Sequence, residues 1–85
     1  MGMATAEFEL DVRGLPPCEP MERILARIET LGPGQRLRAL VSREPLPLLP
    51  LLAQRGFAWW IGSLQPERCE LLIWRGDDAG AAPPG

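Results

Sequence analysis

Two thiols, nine guanidinium groups, eleven carboxylates and a few hydroxyls are the reactive inventory of this 85-residue chain. Histidine, lysine and tyrosine are absent. Without histidine there is no Ser-His or Cys-His couple and no imidazole metal site. Without lysine there is no Schiff base and no P-loop lysine for a nucleotide's phosphates. The candidate nucleophiles are therefore Cys18 and Cys69. Cys18 lies in the stretch Asp11-Val12-Arg13-Gly14-Leu15-Pro16-Pro17-Cys18-Glu19-Pro20, just before a predicted helix. A helix start offers free amides and a favourable dipole to an anion, so a thiol there can ionise near neutral pH and attack. Arg13 and Arg43 could supply positive charge beside it. The plainer alternative is a small residue closing a proline-rich turn; on spacing alone, an inert role is the commoner one for a lone cysteine. Cys69 shares a strand face with Leu71 and Ile73, which points to the core rather than to chemistry. Two cysteines alone make a poor structural zinc site, and no metal is expected.

The elements that position these residues are legible in the apolar pattern. Phe8 to Val12 alternates with period two, as a half-buried strand does. Gly14, Pro16 and Pro17 then impose a loop. Pro20 suits the first helical position, and Met21, Ile24, Leu25, Ile28 and Leu31 form one apolar stripe. Glu19 and Arg23 are spaced for an i,i+4 ion pair. Gly32-Pro33-Gly34 stops the helix, with glycine positioned for a left-handed cap. A strand over 36–41 follows, then the polar loop 42–45, and then a short helix over 46–55 ended by Gly56. Two further strands, 57–64 and 69–75, should pair as an antiparallel hairpin. The order β-α-β-α-β-β predicts a two-layer α/β (α+β) sandwich. In it a four-stranded mixed sheet is covered on one face by two helices. Parallel pairing of the first two strands brings Ser42-Arg43-Glu44-Pro45 to the same end of the sheet as Cys18. Ligands of open α/β sheets favour that carboxyl end.

Length and composition bound the rest. Residues 1–7 are expected to be a flexible N-terminus, 8–75 a single domain and 76–85, rich in Gly, Ala, Pro and Asp, a disordered tail. The net charge is −2. Residues 8–75, however, hold all nine arginines against eight acids, a net +1 with the arginines dispersed. Nucleic-acid binding would need a concentrated basic stripe and is not expected. No apolar run reaches the ~18 residues of a membrane helix, and no signal peptide is visible. Reduced thiols and a cytoplasmic location are the expectation. Trp60, Trp74 and the leucines between 46 and 52 could form a contact surface for a weak homodimer.

Gly14-Leu15-x-x-x-Glu19-Pro20-Met21, set between an Asp11-bearing strand and an amphipathic helix, resembles the TusA/SirA sulfur-carrier family. The turn Leu31-x-Pro33-Gly34-Gln35-x-Leu37 is similar too. The resemblance implies the same β-α-β-α-β-β fold and a persulfide carried on a cysteine at the first helix's start. In that family the motif is Cys-Pro-x-Pro. Aligned on Gly14-Leu15 and Glu19-Pro20, its cysteine falls on Pro17 and its first proline on Cys18. The thiol is thus shifted by one residue. An uncharacterised sister family, with Asp-Val-Arg-Gly-Leu-x-Pro-Pro-Glu-Pro openings and a later Arg-Glu-Pro-x-Pro-Leu (here Arg43 to Leu48), is more similar still. Its members generally have no cysteine at the family position. The resemblance covers about residues 8–75. It implies a sulfur-carrier or thiol accessory protein that binds no cofactor and docks to protein partners, sulfur-relay proteins among them. Cys18 would carry the sulfur, and Arg13, Pro17, Glu19, Pro20, Arg43 and Glu44 would form the partner rim. The rival expectation is a non-catalytic binding or regulatory module with the thiol incidental.

Overall fold

The computed structural model describes residues 6–16 and 18–83. Along them run β1 (Ala6–Asp11), α1 (Glu19–Ile28), β2 (Gln35–Val41), α2 (Leu48–Gln54), β3 (Phe57–Gln65) and β4 (Arg68–Arg75). A short 3-10 helix, Ala79–Ala81, follows. The expected order and two-layer form hold. The four strands lie in the order β1-β2-β4-β3, so the last strand made is one of the two central ones. β1 and β2 are parallel, with Phe8 beside Leu37 and Leu10 beside Ala39. β4 pairs antiparallel with β2 on one side and β3 on the other.

Period-two alternation sorts the sheet into two faces. Leu37, Ala39 and Val41 of β2 and Cys69, Leu71 and Ile73 of β4 point to the helices. There they meet Ile24 and Ile28 of α1 and Leu48 and Leu52 of α2, all fully buried. Burying each of these helix side chains contributes about 1.5–3 kcal/mol, which is what holds the two layers together. The apolar stripe of α1 meets the core as expected, although the helix ends at Ile28 and its cap, Glu29, is right-handed. The left-handed glycine is Gly34, in the turn into β2, rather than one capping the helix. α2 begins at Leu48, two residues later than expected. Pro47 occupies its N-cap, so that it and Pro50 both fall where amides lack helical acceptors. Gly56, at φ 82°, ends it.

The other face of the sheet is open and divided. On the β1–β2 half, Arg38 lies among Glu70 (3.0 Å), Glu9 (3.3 Å) and Glu7 (3.8 Å), and Arg36 pairs with Glu7 at 2.8 Å. On the β4–β3 half stand Trp74 beside Ala58 and Leu72 beside Trp60. The leucines near α2 also divide: Leu48 and Leu52 are core, whereas Leu46 is 60% exposed.

Packing extends beyond the expected boundary at Arg75. Asp78 accepts the Gly34 N–H at 2.8 Å, Arg36 donates to the Ala81 carbonyl at 3.3 Å, and Ala81 is fully buried. Residues 76–83 therefore return to the β2 end of the sheet instead of forming a loose tail. Composition misses this because one small side chain filling a gap, with two hydrogen bonds, needs no apolar run. Residues 1–5 and 84–85 of the expected flexible ends, and Pro17, lie outside the described residues. Among the described residues no helix is long and apolar enough to cross a membrane.

Candidate functional site

The first βα loop is shaped by its own side chains. Asp11 Oδ1 accepts the Arg13 backbone N–H (3.1 Å) and Nε–H (3.0 Å), and Oδ2 accepts Nη2–H (2.8 Å). Those hydrogen bonds, the side-chain ones first, lower the Asp11 carboxyl from its ordinary 3.8 to about 2. The same pairing raises Arg13. Beyond this clamp Gly14 takes a left-handed conformation at φ 79°, one that glycine adopts without a Cβ clash. Its N–H donates to Ser42 Oγ at 3.2 Å, stitching the first βα loop to the second. The Val12 N–H continues the parallel ladder to the Leu40 carbonyl at 2.9 Å.

Cys18 is the N-cap of α1, and its carbonyl accepts the Glu22 N–H at 3.2 Å to open the first turn. Its backbone is left-handed, φ 75° and ψ −26°. For a residue with a Cβ this conformation costs about 1–2 kcal/mol. The loop sets the bend, since the Pro16 carbonyl accepts the Glu19 N–H at 3.2 Å and Pro20 lies in the helix's first turn. The thiol makes no capping hydrogen bond and is exposed. Capping residues such as Ser or Asp turn their oxygen onto the helix amides. Here the sulfur is left to the solvent.

Two concavities meet at this residue. One is a cleft of about 590 Å³ between the start of α1 and the β2–α2 loop. Val12, Leu15, Met21, Ile24, Val41 and Leu48 give it apolar walls, while Ser42, Arg43 and Glu44 supply its polar groups. The other is a more open groove along α1, lined by Leu10, Glu19, Glu22, Arg23, Arg27 and Thr30. Among the described residues, Cys18 alone lines both.

Of the residues expected at the site, Cys18, Pro20, Arg43 and Glu44 come together in the cleft. Arg43 is exposed and makes no ion pair among the described residues, so its charge is available to a ligand. Arg13 is not brought to the thiol: its guanidinium is held by Asp11, and it does not line the cleft. Glu19 belongs to the groove side, paired with Arg23 at 2.9 Å as its spacing predicts. Sequence reasoning missed the apolar walls, Leu15, Met21 and Leu48. Their only signal was position, Leu15 in the first βα loop and Met21 and Leu48 in the first turns of the two helices. Cys69 is fully buried opposite Val41, and burial, with Glu44 and Glu70 nearby, pushes its thiol up. Both cysteines are free thiols.

Residues 9–75 match the sequence profile of a family described as Uncharacterized conserved protein (DUF2249). The chain belongs to the DUF2249 family. No curated protein and no solved structure matches it. The DUF2249 match runs from within β1 to the end of β4, and so contains Cys18 and the whole cleft. It leaves out the C-terminal return over residues 76–83.

Proposed function

We propose that this DUF2249 protein is a sulfur-carrier or thiol accessory protein, with Cys18 as the atom that receives and passes on sulfur. The observation behind this reading is an exposed thiol on the N-cap of α1, free of any capping bond, at the meeting point of a cleft and a groove. The resemblance of Gly14-Leu15…Glu19-Pro20-Met21 to TusA/SirA carriers supports it. Its N-cap position sets Cys18 at the positive end of the α1 dipole. Arg43 supplies a cation on the cleft side. In the proposed step the Cys18 thiolate attacks the outer sulfur of a partner protein's persulfide. That S–S bond breaks, the partner leaves as a thiolate, and Cys18 becomes a persulfide. One sulfane sulfur changes hands and no external oxidant or reductant is needed. The same exchange in reverse unloads the carrier onto an acceptor thiol.

Incubation with a cysteine desulfurase and cysteine tests the reading by intact mass. A gain of one sulfur atom on the wild type and on Cys69→Ala, absent in Cys18→Ser, is the expected result. No gain on any variant, or equal gain on Cys18→Ser, overturns it. The apolar walls of the cleft favour a second reading, a binding module in which the thiol is incidental. On that reading Cys18→Ser keeps partner binding and cellular role, whereas a charge placed in the cleft at Met21 removes them.

A further inference from the structure

The two free edges of the sheet differ in a way that bears on self-association. An edge strand presents unpaired N–H and C=O groups, and proteins commonly guard it with charge, proline or a bulge. β1, one edge, carries Glu7, Glu9 and Asp11 on the face away from the helices. Pairing β1 with a copy of itself would bring carboxylates of both chains together. β3, the other edge, reads Phe-Ala-Trp-Trp-Ile-Gly-Ser-Leu-Gln, with no charge and no proline in nine residues. Its regular pairing with β4 is interrupted between Ile61 and Ser63, leaving Phe57 to Ile61 as the unbroken run.

Antiparallel alternation identifies which groups of that run are free. The Gly76 N–H donates to the Gly56 carbonyl at 2.8 Å, marking residues 56 and 76 as a hydrogen-bonded pair. Backbone groups of Ala58 and Trp60 then face β4, and those of Phe57, Trp59 and Ile61 face away from the sheet. No other strand of the described residues pairs with β3 on that side. The geometry points to a second copy of this chain as the occupant: β3 pairs antiparallel with its own copy about a two-fold axis at Trp59. Trp59 then faces the second copy's Trp59, and Phe57 faces the second copy's Ile61. On the open face Trp60, 47% exposed, falls opposite the second copy's Ala58. That alanine stands beside Trp74 in its own sheet, so a large ring meets a small gap edged by another ring. Every cross-strand pair is apolar and the two-fold axis is satisfied throughout, giving one eight-stranded sheet with the carboxylates of both β1 strands at its outer edges.

Sedimentation velocity of the full chain from micromolar to millimolar concentration is the test. A concentration-dependent dimer is expected, and Trp60→Glu weakens it at least about tenfold by setting two unpaired carboxylates on the apolar pairs. Leu46→Glu, at a leucine before α2 that is more exposed than Trp60, leaves it unchanged. Amide exchange gives a second reading that needs no variant, because the Trp59 and Ile61 amides slow as concentration rises. A wild type that stays monomeric to millimolar concentration overturns the inference. So does a Trp60→Glu dimer as tight as the wild type's, or exchange at Trp59 and Ile61 that ignores concentration.

Discussion

Cys18 and Cys69 are chemically the same side chain in opposite circumstances. Cys69 is in β4, opposite Val41, with no exposed surface and its ionisation pushed up by burial. Cys18 caps α1 in a left-handed backbone, exposed, with its sulfur bound to nothing in the cap. The core keeps one thiol neutral and dry, and a proline-framed loop presents the other to two concavities. Chemical potential in this molecule is thus set by the element a cysteine sits on, since residue type is constant between them.

Alkylation should separate the two most widely. Iodoacetamide is expected to label Cys18 at least about a hundredfold faster than Cys69 in the folded protein, because Cys69 reacts only when its strand opens. Peptide mass spectrometry of a time course measures the ratio, and comparable rates would break the contrast. Stability should show the reverse order. Cys69→Ser places a hydroxyl in the core and is expected to cost about 2 kcal/mol in urea unfolding, while Cys18→Ser stays within about 0.5 kcal/mol. Cys18→Gly sharpens the backbone side of the comparison. Relief of the left-handed strain, less the glycine's extra unfolded entropy, should raise stability by about 0.5 kcal/mol, a gain Cys18→Ala does not share. The smallest effect concerns the Asp11–Arg13 clamp that begins the Cys18 loop. Its carboxyl is lowered in the fold, so its contribution is present above the ordinary 3.8 and fades as pH falls through about 2. Proton-linked unfolding of Asp11→Asn should lack that acid-side component, and an unchanged pH profile would show the clamp to be idle.

The fold was largely legible because its signals are local. The stripe Met21, Ile24, Leu25, Ile28 placed α1 against the core, and period-two alternation in β2 and β4 sorted two faces. Parallel pairing of β1 and β2 was enough to bring Cys18 and Arg43 to one end of the sheet. What the pattern did not disclose depends on three-dimensional competition. Arg13 has a nearer carboxylate in Asp11 than any charge at the thiol, and spacing cannot rank the two. The left-handed Cys18 carries no glycine or asparagine to announce it; the turn closed by Pro16 and Glu19 imposes it. Ala81 became core through a gap at the sheet's end that no neighbouring residue encodes.

The strand order has a consequence for how the chain is made. β2 emerges from the ribosome with Leu37, Ala39, Leu40 and Val41 along it, and its partner β4 is about thirty residues further on. Until that strand arrives, the middle of the sheet is an open apolar seam, and the chain cannot close in the order it is synthesised. β4 pairs with both β2 and β3, so the sheet closes only once residues 68–75 are made, and any slowing of translation between residues 41 and 75 lengthens the time in which nascent chains can stick to one another.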